Sequence, residues 1–415
     1  MAAALAGWVC AAGPDQFEEL LRGGLLALQR NDLASARDQL AKASFLRPDD
    51  PRVWLGIAQA RARSGDKQQG DEAAARAAKL GSGDPIVQHG LALYYANTGD
   101  LPRAAAYEAR FAGATGDPEA FERAASLHLE AANPARAVEL ARQGLARGNR
   151  ASLQNVLGKA QEAAGDSAAA IAALQEAIRL NPYEEAYYFD LAQVLMVHHN
   201  FEVAIPVLES SKRVIAKSPQ LELALGVAYY GQRRFADAVD SFLRTIDLGP
   251  DIQQPYLYLA RILDDARERL DEVRRRFEAY HHAHPESPLG PYLVAKAIMA
   301  QLPTGGFPEE ARRAEELLRL SVQRNGEPWE PHFLLGSLLE RKGELTEAET
   351  VLRRSIERNP AHPAPHLPLA RVYLRLGRKE DAARERDLFK ELTRKQEFAV
   401  QEQAAGMKRL KLTVQ

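Results

Sequence analysis

The densest concentration of side chains able to bind a metal or carry a proton is the run Ala279, Tyr280, His281, His282, Ala283, His284, Pro285. His281 and His284 fall on one face of a helix, and imidazole nitrogens ligate zinc or copper. No carboxylate or cysteine stands at a matching helical spacing to complete a closed site, and His282 points elsewhere. The reading that fits better is a helix C-terminus, where imidazole complements the dipole. His198 and His199 occupy a turn signal, and His362 and His366 flank the start of a later helix. Each reads as structural or solvent-facing. Arg274, Arg275 and Arg276 would suit a phosphate, but Asp271, Glu272 and Glu278 surround them, which makes a solvated helix face. Gly305 and Gly306 follow no strand, so they form no phosphate-binding loop. No serine-centred elbow or helical zinc-protease motif is present. The chain is therefore expected to be non-catalytic, with no cofactor and no metal.

Composition agrees. Charged residues make up 27% and the formal net charge is −2. That is a mixed, soluble surface and not the positive groove that nucleic acid requires, so no nucleic-acid partner is expected. Cys10 is the only cysteine, which excludes an intrachain disulfide framework or a thiolate metal site. No apolar run reaches the length of a transmembrane segment.

The elements that carry these side chains repeat. In Ala151 to Pro182, apolar residues recur every three or four positions, as in amphipathic helix. Gly165-Asp166 interrupts the pattern: glycine closes one helix, and aspartate or the following serine caps the next. Asn181-Pro182 stops the second helix, because the residue before proline is biased away from helical angles. Gly158 faces the partner helix, where a small residue permits close approach, and Ala170 and Ala177 do the same from the other side. One such hairpin cannot bury its apolar face alone and needs stacked neighbours.

The spacing Leu157-Gly158, Ala170, Leu174, Ala177, Pro182 resembles a tetratricopeptide (TPR) repeat. The same signals return at Gly24, Ala36, Leu40 and Pro48, at Leu225-Gly226, Ala238, Phe242 and Pro250, at Leu335-Gly336, Ala348, Leu352 and Pro360, and at Ala370, Gly377 and Ala382. Weaker copies occupy the intervals. In one, Asn133-Pro134 replaces the Gly-Asp turn; in another, Glu272 stands where alanine is usual. Pro206 falls inside a second helix and is expected to bend or locally unpair it. The resemblance covers about 380 residues. It implies an all-α, right-handed superhelical solenoid of about eleven helix-turn-helix repeats with a C-terminal capping helix. The expected divisions are an N-terminal segment 1–16, an N-terminal array 17–184, a central array 185–287, a C-terminal array 288–395 with a loop insertion at 302–310, and a cap and tail at 396–415.

The resemblance also implies a task. In the family the first helices line a concave groove that holds extended or helical partner segments. Carried onto this chain, the inward positions are Phe189, Gln193, Met196, Leu223, Val227, Tyr230, Leu257, Arg261, Asp264, Phe333, Ser337, Leu367 and Arg371. Their apolar and aromatic composition suits a peptide-binding patch, although some are expected to pack against neighbouring repeats. A family subgroup binds the acidic C-termini of heat-shock chaperones through lysine, asparagine and arginine at fixed groove positions. Here Asn155 and Lys159 are followed by Ala186, Phe189 and Asp190, which do not match.

The expectation is a protein-protein interaction scaffold or adaptor whose partner is a protein or peptide. Its alternatives are a substrate-recruiting or regulatory subunit of a separately encoded enzyme complex and a self-associating structural protein. Alanine- and arginine-rich usage points to a bacterial source. The expected compartment is cytoplasmic. The alternative is the periplasm or cell envelope, if residues 1–12 act as an export signal cleaved near Ala11 or Ala12. That segment lacks the usual basic n-region.

Overall fold

The computed structural model describes residues 14–265, 267–302 and 308–410. The export-signal candidate at 1–12, Cys10, and Pro303, Gly305 and Gly306 of the insertion lie outside the described residues. Among the described residues there are 22 α-helices and no strand.

The helices fall into two compact units, one ending at Asp190 and one beginning at Leu191. The first unit carries α1 (Pro14–Gln29), α2 (Leu33–Leu46), α3 (Pro51–Arg63), α4 (Lys67–Leu80), α5 (Pro85–Asn97), α6 (Leu101–Thr115), α7 (Pro118–Glu130), α8 (Pro134–Leu145), α9 (Ala151–Ala163) and α10 (Ser167–Leu180). Helix α11 (Glu185–Val197) starts there and ends in the second unit. The second unit continues with α12 (Phe201–Ser211), α13 (Pro219–Gly231), α14 (Phe235–Leu248), α15 (Gln253–Ile262), α16 (Leu270–Ala283), α17 (Leu289–Gln301), α18 (Glu309–Arg324), α19 (Trp329–Lys342), α20 (Leu345–Arg358), α21 (His366–Arg375) and α22 (Lys379–Leu410). Within each unit consecutive helices pack as hairpins, as in α3 with α4, α9 with α10, and α19 with α20.

The hairpin at α9 and α10 shows why the sequence folds this way. A Cβ on Gly158 would sit 2.6 Å from Leu174 Cγ, so the absent side chain is what lets the two helices meet. Ala170, Leu174 and Ala177 are fully buried at that contact. Gly165 turns the chain at φ 86°, and the Asp166 carboxylate accepts the backbone N–H of Ala169 at 3.1 Å, capping α10. A cap of this kind contributes about 1 kcal/mol. Asp32, Asp50, Asp66, Asp84, Asp100 and Asp117 cap their helices in the same manner. Helix α10 stops at Leu180, with Asn181 as its C-cap. Helix α12 continues through Pro206, which is exposed. The last repeat's second helix and the expected cap are one continuous helix, α22.

The turn between paired helices requires a left-handed residue, and it recurs every 33 or 34 residues from Asn31 to Arg233. Glycine fills it at Gly65, Gly99 and Gly165, but Ala132 at φ 55° and Arg233 at φ 60° do not share glycine's freedom. An L-residue costs roughly 1–2 kcal/mol in that conformation. Ala132→Gly is therefore expected to stabilise the protein by roughly 1 kcal/mol, part of the gain being offset by unfolded-state entropy. Chemical denaturation should show a higher midpoint at unchanged slope; an unchanged or lower midpoint would mean that the turn is not strained.

Candidate functional site

On α13 burial leaves one narrow stripe uncovered. In α13, Leu221, Ala224, Leu225, Gly226, Ala228 and Tyr229 are buried against neighbouring helices. Leu223, Val227 and Tyr230, spaced four and three apart, are only half-buried and follow one line along the helix. In α15 the corresponding residues are Leu257, 39% exposed, and Arg261, followed by Asp264 just beyond the helix end. In α11, Gln193 is exposed, and Phe189 and Met196 are half-buried. Phe333 and Ser337 are half-buried on α19, where the Ser337 hydroxyl donates to the Phe333 carbonyl at 2.8 Å. On α21 both Leu367 and Arg371 are exposed.

Within the second unit these residues meet across repeats. The Tyr230 and Tyr258 rings approach at 5.9 Å, and Tyr258 stacks on buried Phe242 at 5.0 Å. The Arg261 guanidinium lies over Tyr258 at 5.8 Å and forms no ion pair among the described residues. Two other charges on the stripe are already compensated: Asp264 pairs with Lys296 at 3.6 Å, and Arg371 pairs with Glu340 at 3.1 Å.

Sequence reasoning passed over α17. There Tyr292, Lys296 and Met299 hold the same register and are half-buried, placing them on the stripe between α15 and α19. Burial, followed by the charge of Glu330, raises the Tyr292 phenol well above its ordinary pKa, so it stays a hydrogen-bond donor. The signal was present in Ala295, which occupies the small-residue position that Gly226 holds in α13. Asn155 and Lys159, considered above against the chaperone-tail pattern, are used internally: the Asn155 amide donates to Asp190 at 2.8 Å, and Lys159 approaches the same carboxylate at 3.7 Å.

In the first unit a cavity of about 290 Å³ lies between α5 and α7. Its apolar wall includes Leu93, Ala96 and Leu127, and Glu108 of α6 lies against it. Glu108 is 1% exposed, yet both oxygens are satisfied: Arg123 Nε donates at 2.7 Å, and His89 Nδ1 lies at 2.8 Å. Sequence reasoning missed this cluster because Glu108 belongs to a second helix, where the repeat pattern calls for no acid.

The histidine run supplies no converging ligand set. His284 pairs with Asp251 at 3.1 Å and packs on Tyr280, while His281 is half-buried. Among the described residues no three His, Cys, Asp or Glu side chains come together in a metal-binding geometry. Arg274 bonds Glu278 and Gln301, and Arg276 pairs with Asp247, as a solvated face does.

Buried His332 is 2% exposed, and its Nδ1 lies 3.1 Å from the Pro328 carbonyl. Burial holds its pKa below the ordinary histidine value, and the same holds for His128. The native imidazole stays neutral while the unfolded one protonates near pH 6.5. The unfolded state then binds more protons, so stability is full above that pH and is lost as pH falls through it. The thermal midpoint is expected to drop between about pH 7 and pH 5, and to drop less in His332→Gln. Equal drops in both proteins would exclude His332 as the cause.

A family model described as tetratricopeptide repeat matches residues 21–85, 122–185 and 189–252, and a second model of the same description matches 339–387. No curated protein matches the chain. Similar solved structures include yeast Tom70, 15% identical, with 95% of this chain and 96% of that chain covered and a TM-score of 0.43. Another is a thermophilic TPR protein from Thermus thermophilus, 21% identical, with 46% and 99% covered and a TM-score of 0.38. A third is Naa15/Naa10 bound to HypK-THB, 13% identical, with 90% and 68% covered and a TM-score of 0.39. Among the described residues no helix is long and apolar enough to cross a membrane.

Proposed function

Since the chain belongs to the tetratricopeptide repeat family, whose models match more than half of its length, we propose that it is a non-catalytic scaffold or adaptor that holds a partner peptide or helix along the groove formed by its first helices. The observation that carries this reading is the stripe on α13. Leu223, Val227 and Tyr230 are the half-buried residues of an otherwise buried helix interior. Apolar and aromatic groups left half-covered in a line, with Tyr258 and Arg261 beside them, match the centre of a peptide-binding interface. Burying each apolar anchor contributes about 1.5–3 kcal/mol, and the flanking charges give register.

The test is affinity capture from the native cell with the wild type and a Leu223→Glu/Tyr230→Glu variant whose helix content is shown to be intact. A protein held by the wild type and lost by the variant supports the reading. If that protein proves to be an enzyme, the scaffold is its recruiting or regulatory subunit. Identical capture by both proteins would sink the groove reading.

A further inference from the structure

We propose that the cavity between α5 and α7 is an anchor pocket for a partner segment bearing a bulky apolar side chain next to a lysine or arginine. This rests on the scaffold reading and deepens it by naming the chemistry of one contact, in the first unit and separate from the α13 stripe.

Three observations converge. First, α5 exposes apolar surface toward this side. Ile86 is 71% exposed and Leu93 46% exposed, and the spacing of seven residues puts both on the helix face that also carries His89. An exposed leucine beside a cavity of about 290 Å³ gives room for a leucine- or phenylalanine-sized group.

Second, the pocket is fixed from below. Glu108 on α6 bonds Arg123 of α7 and His89 of α5 at once, so it ties the two walls together from a buried position. His89 Nδ1 lies 2.8 Å from one Glu108 oxygen, and the His89 side chain lines the cavity. The Arg123 charge is spent on Glu108.

Third, one charge at the pocket is not balanced. Glu122 accepts a hydrogen bond from the Ser152 hydroxyl and forms no ion pair among the described residues. With Glu108 neutralised by Arg123, the cavity keeps the negative charge of Glu122. A cation adjacent to the inserted side chain would pair with it, and an acidic neighbour would be repelled. The polar rim suits a peptide as well, since Glu122 accepts an N–H and the Ser126 hydroxyl can donate to a carbonyl.

The experiment is a peptide array varied at every position and probed with the purified full chain. Alongside it run Leu93→Asp, Glu122→Gln and the Leu223→Glu/Tyr230→Glu variant, each checked by circular dichroism. Leu93 is exposed, so its substitution leaves the core intact. Wild type is expected to select a bulky aliphatic or aromatic residue beside lysine or arginine. Leu93→Asp should lower binding to those peptides by about tenfold or more. Glu122→Gln should keep the apolar selection and lose the preference for the cation. The Leu223→Glu/Tyr230→Glu variant should bind these peptides as wild type does. If Leu93→Asp binds the selected peptides unchanged, or if acidic neighbours are selected, the pocket is overturned. Peptides lost only in the Leu223→Glu/Tyr230→Glu variant would overturn it while leaving the scaffold reading in place. Array binding through Leu93, together with identical cell capture by wild type and the Leu223→Glu/Tyr230→Glu variant, would support the pocket and fail the α13 groove.

Discussion

Replacing Leu223 and Tyr230 together by glutamate is expected to weaken binding of the captured partner by about a hundredfold, with helix content unchanged. Both side chains are half-buried, and neither belongs to the fully buried side of α13. The substitution therefore removes little of the core. It deletes two apolar anchors and places two carboxylates where a partner would have to desolvate them, which costs more than the lost contact alone. Two anchors at about 1.5 kcal/mol each already give roughly 3 kcal/mol, and 1.4 kcal/mol is tenfold in affinity. Calorimetry or surface plasmon resonance with the purified partner measures the ratio. The companion substitution Arg275→Glu, on a solvated face of α16, should leave affinity nearly unchanged. Equal loss from both would point to a non-specific charge effect.

Phe242→Ala should be the most damaging single substitution to the second unit, by about 4 kcal/mol. The Phe242 ring is fully buried. It fills the space that a side chain on residue 226 would occupy, since a Cβ there would come 2.5 Å from Phe242 Cε1. Its other face stacks on Tyr258 of the next repeat at 5.0 Å and 8°. One side chain thus closes its own hairpin and welds it to the following one, and truncation leaves a cavity at both contacts. In a repeat array each unit leans on its neighbours, so the loss spreads locally. A global unfolding curve does not show where along such a chain the loss falls. Hydrogen exchange resolves it: protection should fall across α13, α14 and α15 and stay unchanged across α3 and α4. A uniform fall over the whole chain would mean that the array unfolds as one cooperative body, and no change at α13 would mean that the Phe242 contacts carry little energy. Loss of Phe242 would also loosen Tyr258, so partner binding on the α13 stripe should weaken with it.

How much of this was legible beforehand can be judged residue by residue. Gly158, Ala170 and Leu174 announced a close helix pair, and the packing of α9 on α10 is the one their sizes require. Gly165-Asp166 and Asn181-Pro182 set the ends of those helices, and both ends fall there. These are local instructions: a cap, a turn and a small residue act within one hairpin, and the repeat copies them along the chain. The residues named for the groove from Phe189 to Arg371 are half-buried or exposed in the structure. The weak copies were harder. Tyr292, Lys296 and Met299 went unnoticed because the insertion after Gln301 blurred the repeat, although Ala295 marked its register.

The sequence by itself therefore determined the ends of the helices and the pairing of neighbours. These depend on spacing along one short stretch of backbone. Only the tertiary structure decided which charges remain free. Asp264 and Arg371 are taken up by Lys296 and Glu340, Asn155 and Lys159 by Asp190, and Arg123 by a glutamate on a different helix, while among the described residues Arg261 and Glu122 form no ion pair. A long charged side chain selects its partner from whatever packing brings within about 4 Å. No periodicity in the chain specifies that distance, because it is set by how one hairpin settles against the next.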